Sequence, residues 1–196
     1  DVYIQWCSMH APDDVKKMMR EQVYESADLS AYTSHFSHKG SMQDILYADQ
    51  HLVLANDMLT KVDRMSMQHS LEVRVPFLDH SIVSFANSLP EHYKINNKLK
   101  KSILQDAFRD DLPKELYNRP KKGFEVPLHD WCTSVLQDTI HSVLSNDFIT
   151  QQNIFNPTHI AALRSKLSSR NPGDSAAHIW ALLVFQIWWK KHIQHA

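Results

Sequence analysis

Two stretches of the chain concentrate residue types able to do chemistry. The first is Lys61-Val62-Asp63-Arg64-Met65-Ser66-Met67-Gln68-His69-Ser70-Leu71-Glu72-Val73-Arg74-Val75-Pro76-Phe77-Leu78-Asp79. Its charges alternate with apolar residues and keep neither the helical nor the strand period for long. Pro76 forces an extended backbone on Val75. Two readings fit: a structural crossover locked by half-buried ion pairs among Asp63, Arg64, Glu72 and Arg74, or a cavity wall presenting Glu72 and Arg74. The second stretch is Arg119-Pro120-Lys121-Lys122-Gly123-Phe124. A basic loop bearing a glycine suits polyphosphate, and a lysine supplies compact charge where a phosphate departs. The plain alternative is a solvated basic loop.

Other mechanisms lack their residues. The three glycines, Gly40, Gly123 and Gly173, lie at least 50 positions apart. Dinucleotide turns, P-loops and nucleophile elbows all need closer spacing. Cys7 and Cys132 are 125 positions apart, which excludes a zinc knuckle or CxxC pair and leaves a lone disulfide open. So few cysteines, and no leader pattern, point to the cytoplasm. Thirteen histidines include His35/His38 and His192/His195. Neither pair has a third ligand nearby, so they read as surface histidines and no metal is assigned.

A net charge of −1 gives no global attraction to nucleic acid or membrane. The charge is uneven, however. Residues 94–122 hold 9 basic and 4 acidic side chains, against 7 and 13 in residues 1–93. With 43% hydrophobic and 22% charged residues, the composition is that of a soluble globular domain.

Helices must position these stretches. Pro12-Asp13-Asp14 opens a helix through Val15–Tyr24, and 27–38 reads as helical up to Gly40. Ser41 caps a helix over 42–58 whose apolar stripe also carries Asp49 and Asn56, as a structural cap or bridge or as an orienting carboxylate. Ile82–Ala86 and Leu99–Phe108 are short helices. One helix follows Pro127, with Leu128, Trp131, Val135, Leu136 and Ile140 on a face. Asn156-Pro157 starts another, continued by Ile160, Leu163 and Leu167. The last begins after Asp174. Only seven apolar residues, Ile179–Phe185, are uninterrupted there, and a membrane span needs about 18. It reads as a buried core helix, with Trp180, Phe185, Trp188 and Trp189 in the core. Met65 and Met67 read as packing residues. Glu72–Phe77 and Tyr93–Ile95 are the only strand signals. The fold class is mainly α, a single helical domain over 1–196.

In this order, the residues resemble the synthetase domain of glutamine-hydrolysing asparagine synthetases. The matching positions are Leu46-Tyr47-x-Asp49, Leu59-x-Lys61-Val62-Asp63-Arg64-x-Ser66-Met67, and Ser70-Leu71-Glu72-x-Arg74-x-Pro76-Phe77-Leu78-Asp79. Lys100/Lys101, Leu112-Pro113, Arg119–Phe124, Pro127-Leu128 and Trp131 follow, then the closing helix from Ile179 to Trp188. The resemblance covers about 41–192 and is loose over 1–40.

It implies an enzyme that uses ATP and Mg²⁺ to activate aspartate as an acyl-adenylate, which ammonia drawn from glutamine then amidates. The family's pyrophosphate loop, its metal-binding aspartates and its N-terminal glutaminase are absent here. The expected object is therefore the helical C-terminal portion of an adenine-nucleotide α-hydrolase-like (ATP-pyrophosphatase) synthetase domain, its parallel sheet largely missing from the chain. The start at Asp1 rather than Met agrees. The chain alone is expected to be inactive and to bind no cofactor. Its partners would be the remainder of the synthetase domain and the glutaminase domain.

By matching position, Lys121 and Glu72 are the implied catalytic residues. Lys121 serves the pyrophosphate side, and Glu72 lies near the acyl-adenylate. Arg74 and Arg64 organise Glu72 and nearby phosphates, and Lys122 and Gly123 shape the loop. A related ligase with another carboxylate acceptor, or a non-catalytic helical module, are the alternatives. Oligomeric state is not encoded legibly.

Overall fold

The computed structural model describes residues 7–25, 40–95, 100–116, 123 and 126–194. Among them, regular structure is helical throughout, apart from the isolated bridges Met19↔Phe155 and Ile95↔Lys100. The mainly α expectation holds. The chain divides into two compact units, 28–123 and 1–27 with 124–196.

The unit of 1–27 and 124–196 holds the apolar core. Its helices are α1 (Pro12–Met18), α7 (Leu128–Thr133), α8 (Gln137–Val143), α9 (Asn146–Gln152), α10 (Pro157–Leu167) and α11 (Ser175–His192). Asn156 caps α10 by accepting from the Thr158 and His159 N–H groups, and Pro157 opens it. Ile160, Leu163 and Leu167 then share one buried face. They meet Ile179, Leu182 and Leu183 of α11, with Ile140, Val143, Leu144 and Ile149 completing the cluster. Each such side chain contributes roughly 1.5–3 kcal/mol by leaving water. Met18 reaches the same core.

In the unit of 28–123, α2 (Met42–Asp49), a π-helical stretch (Gln50–Leu59) and α3 (Thr60–Met67) follow without interruption. A capping box starts the run: Ser41 Oγ accepts from the Asp44 N–H, and the Asp44 carboxylate accepts from the Ser41 N–H. A 3₁₀ turn (Pro76–Leu78), α4 (His80–Ser88), α5 (Glu91–Lys94), α6 (Ser102–Ala107) and a 3₁₀ turn (Lys114–Leu116) follow. Only Ala48 and Ser102 are buried among this unit's described residues. Polar contacts tie its elements. Gln50 donates to Asn87 at 3.1 Å, and Lys94 donates to the Asn87 carbonyl at 3.1 Å. Ser102 donates to the Tyr93 carbonyl at 2.8 Å.

Several expectations are corrected. The first helix stops at Met18, because Met19 turns into the bridge with Phe155 instead of continuing to Tyr24. The helix after Pro127 breaks at Ser134, where Thr133 and Ser134 hydroxyls donate back to the His129 and Asp130 carbonyls. Tyr93 is helical, not extended. Glu72–Phe77 forms no strand; 71–75 is irregular and the 3₁₀ turn begins at Pro76. The last helix buries one face only, since Val184, Ile187 and Trp188 are exposed. Met65 and Met67 are exposed rather than packed. Asp49 is exposed too, so the apolar stripe does not bury it. Cys7 and Cys132 are free thiols. The helix expected over 27–38, the pair His35/His38, and His195 lie outside the described residues.

Candidate functional site

The 61–79 stretch begins on α3 and leaves it by a sharp reversal. Gln68 N–H closes on the Arg64 carbonyl, and the Leu71 N–H donates to Ser66 O at 3.0 Å. Ser70 takes the left-handed conformation, φ 56°, which releases the chain from the helix axis. Val75 then sits at φ −107°, ψ 105°, the extended geometry that Pro76 imposes. Asp79 accepts from the Ser81 N–H at 2.9 Å and so caps α4. That cap holds the Asp79 carboxyl below its ordinary range, through the Ser81 hydroxyl first and the Ser81 N–H second.

Within the stretch, Arg74 and Glu72 form an ion pair. Their side chains are 89% and 67% exposed, so the half-buried pair expected from the sequence is instead a solvated one. An exposed pair contributes about 0–1 kcal/mol, too little to lock a crossover. The apolar neighbours are exposed as well: Leu71 59%, Val73 45%, Val75 40% and Phe77 60%. Arg64 is exposed on α3 and makes no ion pair with Glu72, nor does Asp63 with Arg74, among the described residues.

Lys121 and Lys122 lie outside the described residues. Gly123 is exposed. Of the sequence-derived site residues, then, the structure brings together Glu72 and Arg74. Among the described residues no group of three His, Cys, Asp or Glu could hold a metal ion. Nor is any helix there long and apolar enough to cross a membrane.

The sequence reading missed the Asp79 cap, although Asp followed two residues later by Ser is a recognisable helix-start signal. It also missed the His10–His178 stack, ring centroids 4.3 Å apart, because 168 positions separate the two residues.

A family model described as asparagine synthase matches residues 4–190. The chain is 28% identical over 186 residues to Asparagine synthetase [glutamine-hydrolyzing] 1 of Bacillus subtilis (strain 168), covering 93% of this chain and 29% of that protein. It is 31% identical over 147 residues to a putative asparagine synthetase [glutamine-hydrolyzing] of Mycobacterium tuberculosis (strain ATCC 25618 / H37Rv), covering 73% and 22%. It is 44% identical over 96 residues to the asparagine synthetase [glutamine-hydrolyzing] of Cricetulus griseus, covering 45% and 17%. The chain thus spans less than a third of the length of these relatives. No solved structure matches it.

Proposed function

This chain belongs to the asparagine synthase family, and we propose that it is the helical C-terminal part of the synthetase domain of a glutamine-hydrolysing asparagine synthetase. We read 1–196 as one helical domain that completes an adenine-nucleotide α-hydrolase-like fold. The natural protein would work in the cytoplasm on ATP, aspartate and glutamine.

The observation that carries this reading is the exposure of the 61–79 stretch together with the family match over 4–190. Leu71, Val73, Val75 and Phe77 present apolar surface that a folded domain does not leave to water. The relatives are more than three times the length of the matched region. The remainder of the synthetase domain would cover this surface and draw Glu72 and Arg74 out of water. There a pair worth little in solvent becomes a strong, directional contact.

In the proposed reaction, an oxygen of the aspartate side-chain carboxylate attacks the α-phosphorus of ATP. The bond to pyrophosphate breaks as the acyl-adenylate forms. Lys121 neutralises negative charge growing on the departing pyrophosphate. Ammonia then attacks the acyl carbon, AMP leaves, and the nitrogen loses a proton. Glu72 sits beside the acyl-adenylate and accepts or orients that proton, while Arg74 pairs with Glu72 and fixes where its carboxylate points. Arg64 steadies nearby phosphates, and Lys122 and Gly123 shape the Lys121 loop. By resemblance, Mg²⁺ would bind the family's metal-binding aspartates, which lie in motifs this sequence does not contain, so no step is assigned to it here. The chain on its own would be inactive, and glutamine hydrolysis would fall to a separate domain.

The test is Glu72→Ala in the natural protein, with asparagine formation and glutamine hydrolysis measured side by side. Loss of synthesis with hydrolysis retained supports the reading. Equal loss of both makes Glu72 a structural residue.

A further inference from the structure

The first helix carries cations that form no ion pair among the described residues. Asp13, Lys16 and Lys17 are spaced i, i+3, i+4 and share a face of α1. Arg20 follows just beyond the helix, where the backbone is pinned. The Arg20 N–H donates to Ile154 O at 2.9 Å, and the Asn156 N–H donates to Met18 O at 2.8 Å. The Val23 and Tyr24 N–H groups return to Arg20 O and close a turn. Between α1, this turn and the start of α10 lies a cleft of about 620 Å³. That is the size of a small-molecule site, roughly 300–1,000 Å³. Lys16, Lys17, Arg20 and Tyr24 line it, with Asp13, Glu21, Asn156 and Pro157.

Two observations point to an anion. None of Lys16, Lys17 and Arg20 has an ion-pair partner among the described residues. The Arg20 Nε is shielded from solvent and has no hydrogen-bond partner. A buried charged donor without an acceptor is costly, and an anionic oxygen supplies that acceptor. Asn156 caps α10 with its side-chain oxygen, which leaves its amide N–H groups as further donors beside the three cations.

We propose that this cleft binds a small phosphate-bearing molecule, its phosphate oxygens held by Lys16, Lys17 and Arg20. Lys16, Lys17 and Arg20 outnumber Asp13 and Glu21 in the lining, and a guanidinium with two ammoniums matches the several oxygens of a phosphate group. Asp13 and Glu21 accept hydrogen bonds from hydroxyl or amino groups on the rest of the ligand. The assignment stands independently of the synthetase reading.

Lysine-acylation footprinting of the natural protein tests it, with inorganic pyrophosphate as the probe and succinate as the carboxylate control. Pyrophosphate is expected to slow acylation of Lys16 and Lys17 at least about fivefold, consistent with charge-assisted contacts, while Lys166 and Lys191 react at an unchanged rate. Arg20→Gln is expected to abolish the protection. If that variant fails to fold, Lys16→Met is read through protection of Lys17, which should fall. Unchanged rates at Lys16 and Lys17 overturn the proposal, and equal protection by succinate overturns the phosphate class. Full protection in Arg20→Gln, or undiminished Lys17 protection in Lys16→Met, overturns the three-cation site. Asparagine synthesis is not read in any arm, so failure here leaves the proposed function untouched.

Discussion

Gln152 and Gln186 exchange two side-chain amide hydrogen bonds, at 2.7 and 2.8 Å. Gln186 is wholly buried on α11 among Ile179, Leu182 and Leu183. The pair is satisfied only while both members are present. Gln152→Leu is therefore expected to destabilise the domain by about 1–3 kcal/mol, since the Gln186 amide is left buried without partners. Replacing both by Leu should recover most of the loss. Chemical denaturation of the two variants measures this, and a double variant no more stable than the single one would contradict it.

His10 stacks on His178 with planes 20° apart. Burial first, then the positive charge of His178, lowers the His10 pKa from 6.5, and Asp14 opposes the shift. The folded pKa lies below the unfolded one, so the contribution is whole above about 6.5 and is lost as pH falls below it. The melting temperature should accordingly drop on mild acidification. His10→Phe should flatten that drop, and an unchanged pH dependence in the variant would exclude His10 as its source.

Phe77 is 60% exposed. If the remainder of a synthetase domain covers it, Phe77→Asp should cost about 3 kcal/mol or more in the natural protein, the scale of an unpaired charge placed in a core. In the separated chain it should cost less than about 0.5 kcal/mol. Comparable losses in both would mean that nothing covers this surface.

Local signals were legible in the sequence where one segment decided the outcome alone. Ser41, Asn156-Pro157 and the Ile160, Leu163, Leu167 face all appear as read. Long-range competition was not legible. Nothing near Met19 announces its bridge to Phe155. The break at Ser134 depends on hydroxyls choosing backbone carbonyls over continued helix. Residue type marked Met65 and Met67, and periodicity Asp49, as facing a core without revealing which segment would supply it. Of the site, Glu72 and Arg74 do meet, but in water rather than half-buried. Lys121 and Lys122 fall outside the described residues.

Under the proposed reaction, Lys121 faces the departing pyrophosphate, where charge builds, so a cation there acts on turnover rather than on ATP affinity. Steady-state kinetics of aspartate adenylation by the natural protein, comparing Lys121→Ala with Lys122→Ala, tests it most directly. Lys121→Ala should lower kcat by about a hundred- to a thousandfold with little change in the KM for ATP, and Lys122→Ala should be far milder. Near-normal turnover in Lys121→Ala, or a crippled Lys122→Ala beside it, would contradict the assignment.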